Sequence, residues 1–182
     1  MKIVFKEKLA DGNLSERILQ ILTECSDEFV PPLTSRNSTT QSDFSDTSES
    51  GGEVPYAYYD MIKNQSALIA EDADGAVMGF MSYKTDYTNG IITEDYLPDI
   101  YISTVIAAKD FRRRGVTKSL YNALCEKYAD QNIFTRTWST NISHSCLLQS
   151  FGFSEFHRIK NDRGDGIDTV YYTKAKTRAV ER

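Results

Sequence analysis

Apolar positions along this chain recur in two periods, and their alternation lays out its elements. Residues 2–6, KIVFK, predict a first strand. Leu14, Ile18, Leu19, Ile21 and Leu22 recur at helical spacing and predict a helix to about residue 29. Asn13 is its expected cap and Glu16 the capping-box partner; Pro31 and Pro32 end it. The stretch 33–53 is dominated by Ser, Thr, Asp and Gly, with only Leu33 and Phe44 sizeable and apolar, and reads as a long polar loop. A weak second helix is expected at 54–63, with Pro55 tolerated in its first turn. Strands at 67–70 and 76–83 flank the turn DADG and form a hairpin. An acidic loop, 84–99, precedes a β-branched strand at 100–108. Next come a helix at 116–128, with Leu120, Leu124 and Tyr128 on one stripe, and a strand at 132–138. A helix opened by Asn141 runs to about residue 150, and strands at 153–159 and 167–173 close the chain around the turn NDRGDG. This order implies a mixed α/β sheet in one domain spanning residues 1–182.

Composition narrows the class. The 182 residues suffice for one full core, and 40% hydrophobic with 26% charged residues is the balance of a soluble globular protein. A net charge of −5 disfavours a general nucleic-acid binder. Three cysteines, Cys25, Cys125 and Cys146, form no CxxC pair and read as reduced thiols of a cytoplasmic protein. The N-terminal stretch MKIVFKEKLADG lacks a signal-peptide core, and no run approaches a membrane span, so no membrane partner is expected.

The chemistry concentrates in FRRRGVTKSL, residues 111–120. A strand ends, the chain turns through Arg112, Arg113, Arg114 and Gly115, and a helix begins at Val116, Thr117 and Lys118. Unpaired N–H groups and the positive dipole end of a helix start hold phosphate oxygens, and a glycine lets backbone approach a ligand closely. These residues predict an anion site suited to a pyrophosphate. Neither a Ser-His-Asp spacing, nor a metal-ligand cluster, nor a GxxxxGK[ST] loop is present.

The residue order at 112–117 resembles motif A of the GNAT superfamily of N-acetyltransferases, R/Q-x-x-G-x-G/A, with Arg112 and Gly115 matching and Thr117 standing where Gly or Ala is usual. NISHSCLLQSFGF, residues 141–153, resembles the family's motif B, in which an Asn opens a helix that a Gly-Phe pair ends; Asn141, Gly152 and Phe153 match. The resemblance covers roughly residues 67–174. It implies the GNAT fold, a mixed and mostly antiparallel sheet flanked by helices with splayed central strands forming a cofactor cleft, and acetyl-CoA as the cofactor. It further implies that backbone from Arg113 to Lys118 wraps the pyrophosphate, that Val105, Ile106 and Ala107 bond the pantetheine arm, and that Asn141 approaches that arm, with His144 close by. The 33–53 loop is then either a tolerated surface insertion or a lid over the acceptor, with Arg36 and Phe44 as its contacts.

The expected reaction is direct attack of a primary amine on the acetyl thioester; the alternative is a catalytically weak acyl-CoA-binding module. Many family members place a proton-donating Tyr four residues before the Gly-Phe pair, where this chain has Leu148. Related ribosomal-protein N-terminal acetyltransferases hold a Glu five residues before the Asn, where this chain has Arg136. Asp99 is the leading base candidate, ahead of Glu94 and Asp95; Tyr171, Tyr172, Tyr101 and Ser145 are substitutes for the lost tyrosine. The acidic loop leans the acceptor, a small molecule or a peptide, towards a cation. The resemblance leaves a homodimer open.

Overall fold

A computed structural model of the chain describes residues 1–10, 12, 14–36 and 53–177. The expected cap Asn13 and the loop contact Phe44 lie outside them. The expected strands and helices are all present, with ends shifted by a few residues. The strands are β1 (Lys2–Lys6), β2 (Ser66–Glu71), β3 (Val77–Thr85), β4 (Asp99–Ala107), β5 (Asn132–Trp138), β6 (Ser154–Ile159) and β7 (Thr169–Lys174). The helices are α1 (Leu14–Cys25), α2 (Tyr56–Ile62), α3 (Val116–Lys127) and α4 (Ile142–Ser150). The first helix stops at Cys25 and tightens into a 3₁₀ turn over Ser26–Glu28, because Phe29 is already extended ahead of Pro31 and Pro32.

One seven-stranded sheet runs in the order β1-β2-β3-β4-β5-β7-β6. Every pairing is antiparallel except β4 with β5. The sheet is buried on both faces. Leu68, Met81, Ile102, Ile133, Val170 and Tyr172 pack under Leu120, Tyr121 and Leu124 of α3 and Leu148 of α4. On the other face, Ala67, Ile69, Phe80 and Ile106 meet Ile18, Ile21 and Leu22 of α1 and Tyr58 and Ile62 of α2. A smaller cluster, Ile92, Tyr101 and Phe134, continues beyond them. The α1 stripe that buries Ile18, Ile21, Leu22 and Cys25 is the one that the helical spacing marks out.

Gly79 on β3 keeps the middle of the sheet tight. A Cβ there would lie 2.5 Å from the Ile106 carbonyl oxygen and 2.9 Å from Val116 Cγ1. No side chain larger than hydrogen fits between β4 and the start of α3 at this point.

Candidate active site

The ladder between β4 and β5 runs from Asp99↔Asn132 to Ile102↔Thr135 and stops there, although β4 continues to Ala107 and β5 to Trp138. The two strands part in the middle of the sheet. Backbone of β4 beyond Ile102 is therefore open on the β5 side while its β3 side stays paired. A register shift between Ser82 and Tyr83, opposite Ile102–Thr104, coincides with the parting.

Below the gap the chain makes a 3₁₀ turn over Lys109–Phe111, passes Arg113 at φ +59° and Gly115 at φ +77°, and enters α3. Both residues occupy left-handed backbone, which Gly115 adopts without strain and Arg113 does not. Gly115 caps α3 with no side-chain hydrogen bond, and the first intrahelical bond is Ser119 N–H to the Gly115 carbonyl, 2.9 Å. The amides of Val116, Thr117 and Lys118 thus precede the helical ladder, and a Cβ built at Gly115 would meet nothing within 4 Å. An uncapped helix start facing open space is the geometry that an anion needs. Arg112 donates to Glu28 at 2.6 Å and to Cys25 Sγ at 3.4 Å, which ties the loop to the end of α1. Arg114 instead packs over Phe111, outside the cleft lining.

Gap and loop form one cleft of about 500 Å³. Val105, Ile106, Ala107, Arg112, Arg113, Gly115, Val116, Thr117, Lys118, Asn141 and His144 all line it. Asn141 caps α4, accepting from the His144 amide at 3.3 Å and donating to Thr137 Oγ1 at 3.2 Å. The His144 ring shares a hydrogen bond of 2.8 Å with the Tyr121 hydroxyl. Desolvation pulls its pKa down to about 4, so the imidazole is neutral at physiological pH.

The sequence model of the acetyltransferase (GNAT) family matches residues 27–153 of this chain. The chain belongs to the GNAT family. No curated protein matches it. Among solved structures, a protein of Acinetobacter baylyi ADP1 assigned as an acetyltransferase is 19% identical with a TM-score of 0.65, over 100% of this chain and 98% of that one. The ribosomal-protein-alanine N-acetyltransferase of Brucella melitensis is 17% identical with a TM-score of 0.62, over 94% and 99%. A Salmonella typhimurium protein assigned as an acetyltransferase and solved with its cofactor acetyl-CoA is 13% identical with a TM-score of 0.62, over 100% and 98%. At these identities the likeness speaks to the fold alone.

The GNAT frame separates the expected catalytic residues from the cleft. Asp99 opens β4 at the end away from the α3 loop and does not line the cleft. It is fully buried, with Oδ1 accepting from the Tyr87 amide at 2.8 Å and Oδ2 without a hydrogen-bond partner. Burial raises its pKa. Tyr172 is buried in the core under α3, and Tyr171, on the opposite face of β7, stands behind Arg136, whose Nη1 donates to its hydroxyl at 3.2 Å. Tyr101 stacks on Tyr87 with ring centres 4.4 Å apart. Glu94 and Asp95 are exposed on a 3₁₀ turn, and neither they nor Ser145 line the cleft. Leu148 is fully buried in the core.

In place of those groups the cleft holds arginines. Arg36, Arg136 and Arg163 line it, with Phe29 and Trp138. Arg36 Nη2 and Arg163 Nη1 donate to the same Val30 carbonyl, at 3.1 and 2.6 Å. Arg36 lies over Phe29 at 5.3 Å, Phe29 and Trp138 are 5.7 Å apart, and Arg163 lies over Trp138 at 5.7 Å. Burial, then the neighbouring guanidiniums Arg36 and Arg136, pull Arg163 down to about 9, still charged at neutral pH. Sequence reasoning missed Arg163, which sits in a stretch read only as a polar turn, and also Trp138 and Phe29. One signal was available: Phe134, Arg136 and Trp138 alternate along β5, so an arginine shares a strand face with two aromatics.

Proposed function

We propose that this protein is an acetyl-CoA-dependent N-acetyltransferase that acts on a primary amine by direct attack. The observation that carries the reading is the parting of β4 and β5 immediately above an uncapped helix start. Acetyl-CoA is the cofactor, and when bound it supplies the acetyl thioester. The amides of residues 113–118, with charge from Arg112, Arg113 and Lys118, fit its pyrophosphate. The open backbone of Val105, Ile106 and Ala107 fits an amide-bearing arm, with Asn141 and His144 beside it.

The residues of the chain also determine how the amine becomes neutral. Neither Asp99 nor any tyrosine lines the described cleft, and Glu28 is engaged by Arg112 and Lys109. Positive guanidiniums disfavour a neighbouring ammonium, so they lower the pKa of a bound amine, and its proton leaves to water. His144, neutral and bonded to Tyr121, has no imidazolium proton to give at neutral pH. Rate then comes from positioning, with backbone N–H groups at the gap directed at developing negative charge.

Calorimetric titration of acetyl-CoA tests the site. The wild type is expected to bind with micromolar affinity, and Gly115→Glu to abolish binding by steric and charge conflict at the loop. Undiminished affinity in that variant would overturn the assignment. A second reading, an acyl-CoA-binding module with little turnover, is favoured by the burial of Leu148 where a proton donor is usual. Thiol release with any amine at a useful rate rules it out.

A further inference from the structure

The parting of β4 and β5 singles out one residue, Ser103. The ladder between the two strands ends at Ile102↔Thr135, so Ser103 is the first β4 residue beyond it. On the other side Tyr83 faces Ile102 and Ser82 faces Thr104, which leaves Ser103 opposite no residue of β3. It is the extra residue of a β-bulge, a device that bends a strand and re-aims a side chain. Ser103 therefore has a register partner on neither neighbouring strand, and it lines the cleft.

Its side chain is equally unengaged. Ser103 Oγ is buried and has no hydrogen-bond partner among the described residues, although the residue as a whole is half-buried. The threonines of β4 and β5 that line the cleft differ, because each has its hydroxyl engaged. Thr104 Oγ1 shares a hydrogen bond of 2.7 Å with the Tyr58 hydroxyl, Thr135 Oγ1 donates to the Ile102 carbonyl at 3.3 Å, and Thr137 Oγ1 accepts from Asn141 Nδ2 at 3.2 Å. Nothing fixes the hydroxyl of Ser103, which can turn between staggered positions about Cα–Cβ. A buried hydroxyl without a partner forfeits its bonds to water and gains none in the fold, so it calls for an explanation in what binds beside it. Ser82 Oγ is also buried and unpartnered, but Ser82 is paired in the β3–β4 ladder and does not line the cleft.

Position along the strand indicates what Ser103 would meet. The α3 loop fits the pyrophosphate, and Ala107, Ile106 and Val105, next along β4, fit the amide-bearing arm. Ser103 lies farther from the loop in the same direction, where the arm ends in its thioester. Resting on the N-acetyltransferase reading, we infer that the Ser103 hydroxyl turns into the gap when acetyl-CoA binds and donates a hydrogen bond to the acetyl carbonyl oxygen. As the amine nitrogen attacks the acetyl carbon, the carbonyl π electrons move onto that oxygen. The Ser103 O–H faces the developing charge and keeps its proton. The nitrogen proton passes to water, the C=O bond re-forms, the C–S bond breaks, and the sulfur leaves as thiolate. Ser103 is a catalytic residue on this account, and its side chain supplements the backbone N–H groups of the strand.

The test reads the carbonyl stretch of bound acetyl-CoA, isotope-labelled at the acetyl carbonyl, by infrared difference spectroscopy. In the wild type the band is expected below that of free acetyl-CoA. Ser103→Ala should return it towards the free value, and Ser103→Thr, which keeps a hydroxyl, should hold it down. Calorimetric affinity of Ser103→Ala for acetyl-CoA should be retained. Its stability in urea should not fall, because the substitution deletes a buried, unpartnered oxygen. In thiol release with amino acids, their amides and spermidine, kcat of Ser103→Ala should drop by about tenfold to a hundredfold with KM little changed. Ser82→Ala should match the wild type. The band needs no acceptor, so it decides even where no amine in the panel turns over. An unmoved band in Ser103→Ala overturns the inference, as does a rate loss that merely follows lost affinity or stability. Failure of acetyl-CoA to bind the wild type sinks the parent reading instead, so the two failures are distinguishable.

Discussion

His144, half-buried, and Asp99, fully buried, are titratable groups whose protonation is set by desolvation, with opposite consequences. His144 titrates at about 4 in the fold against an ordinary 6.5. Its neutral form contributes stability that is present above 6.5 and is lost as pH falls through about 4. His144→Gln should flatten the acid limb of the stability curve by on the order of 2 kcal/mol at pH 4.5, seen in urea unfolding of both proteins at pH 7 and 4.5. Asp99 is raised, so it favours the fold below its unfolded pKa and loses that contribution as pH rises through the folded value. Asp99→Asn should therefore gain stability relative to the wild type between pH 4 and 7, and leave acetyl transfer intact because the residue does not line the cleft. A variant with normal stability and no activity would restore Asp99 as a base. Single-residue chemistry was the least legible level. An Asp at the start of a central strand has the right residue type, but only three-dimensional placement reveals that it faces the wrong end of that strand.

Elements were far more legible. The periods of α1, α3 and β5 and the cap at Asn141 are local physics, so the sequence alone places them within a few residues. So too were the loop and helix start on which an anion is expected, since Arg112, Gly115 and Val116 lie close together in the chain. What no window of sequence contains is the contact between elements. Gly79 reads as an ordinary weak point in a strand, yet it admits β4 and the α3 start at a separation that excludes a methyl group. Gly79→Ala should cost about 1–3 kcal/mol by forcing these elements apart. Because they carry the cleft, its acetyl-CoA affinity should fall with its stability in paired calorimetric and denaturant measurements.

On the scale of the whole molecule, the arginine cluster gathers residues from the 33–36 turn, β5 and the β6–β7 turn, segments far apart along the chain. Nothing local couples Arg36 to Arg163; they meet at the Val30 carbonyl and through the aromatic rings between them. Such sites become visible only once the chain has closed on itself. The parted strands have a consequence of the same global kind. A sheet ordinarily has edges only at its two sides, but here β4 and β5 give this one a third edge in its interior. Outer edges invite foreign strands; this one lies at the bottom of a cleft too confined for them. A ligand that bonds it acts as a short missing rung and should slow hydrogen exchange of amides within 103–107 far from any protein partner. Loading the cleft should thus knit the two halves of the sheet into one cooperative unit, and proteolysis or exchange that distinguishes the halves in the free protein should cease to do so.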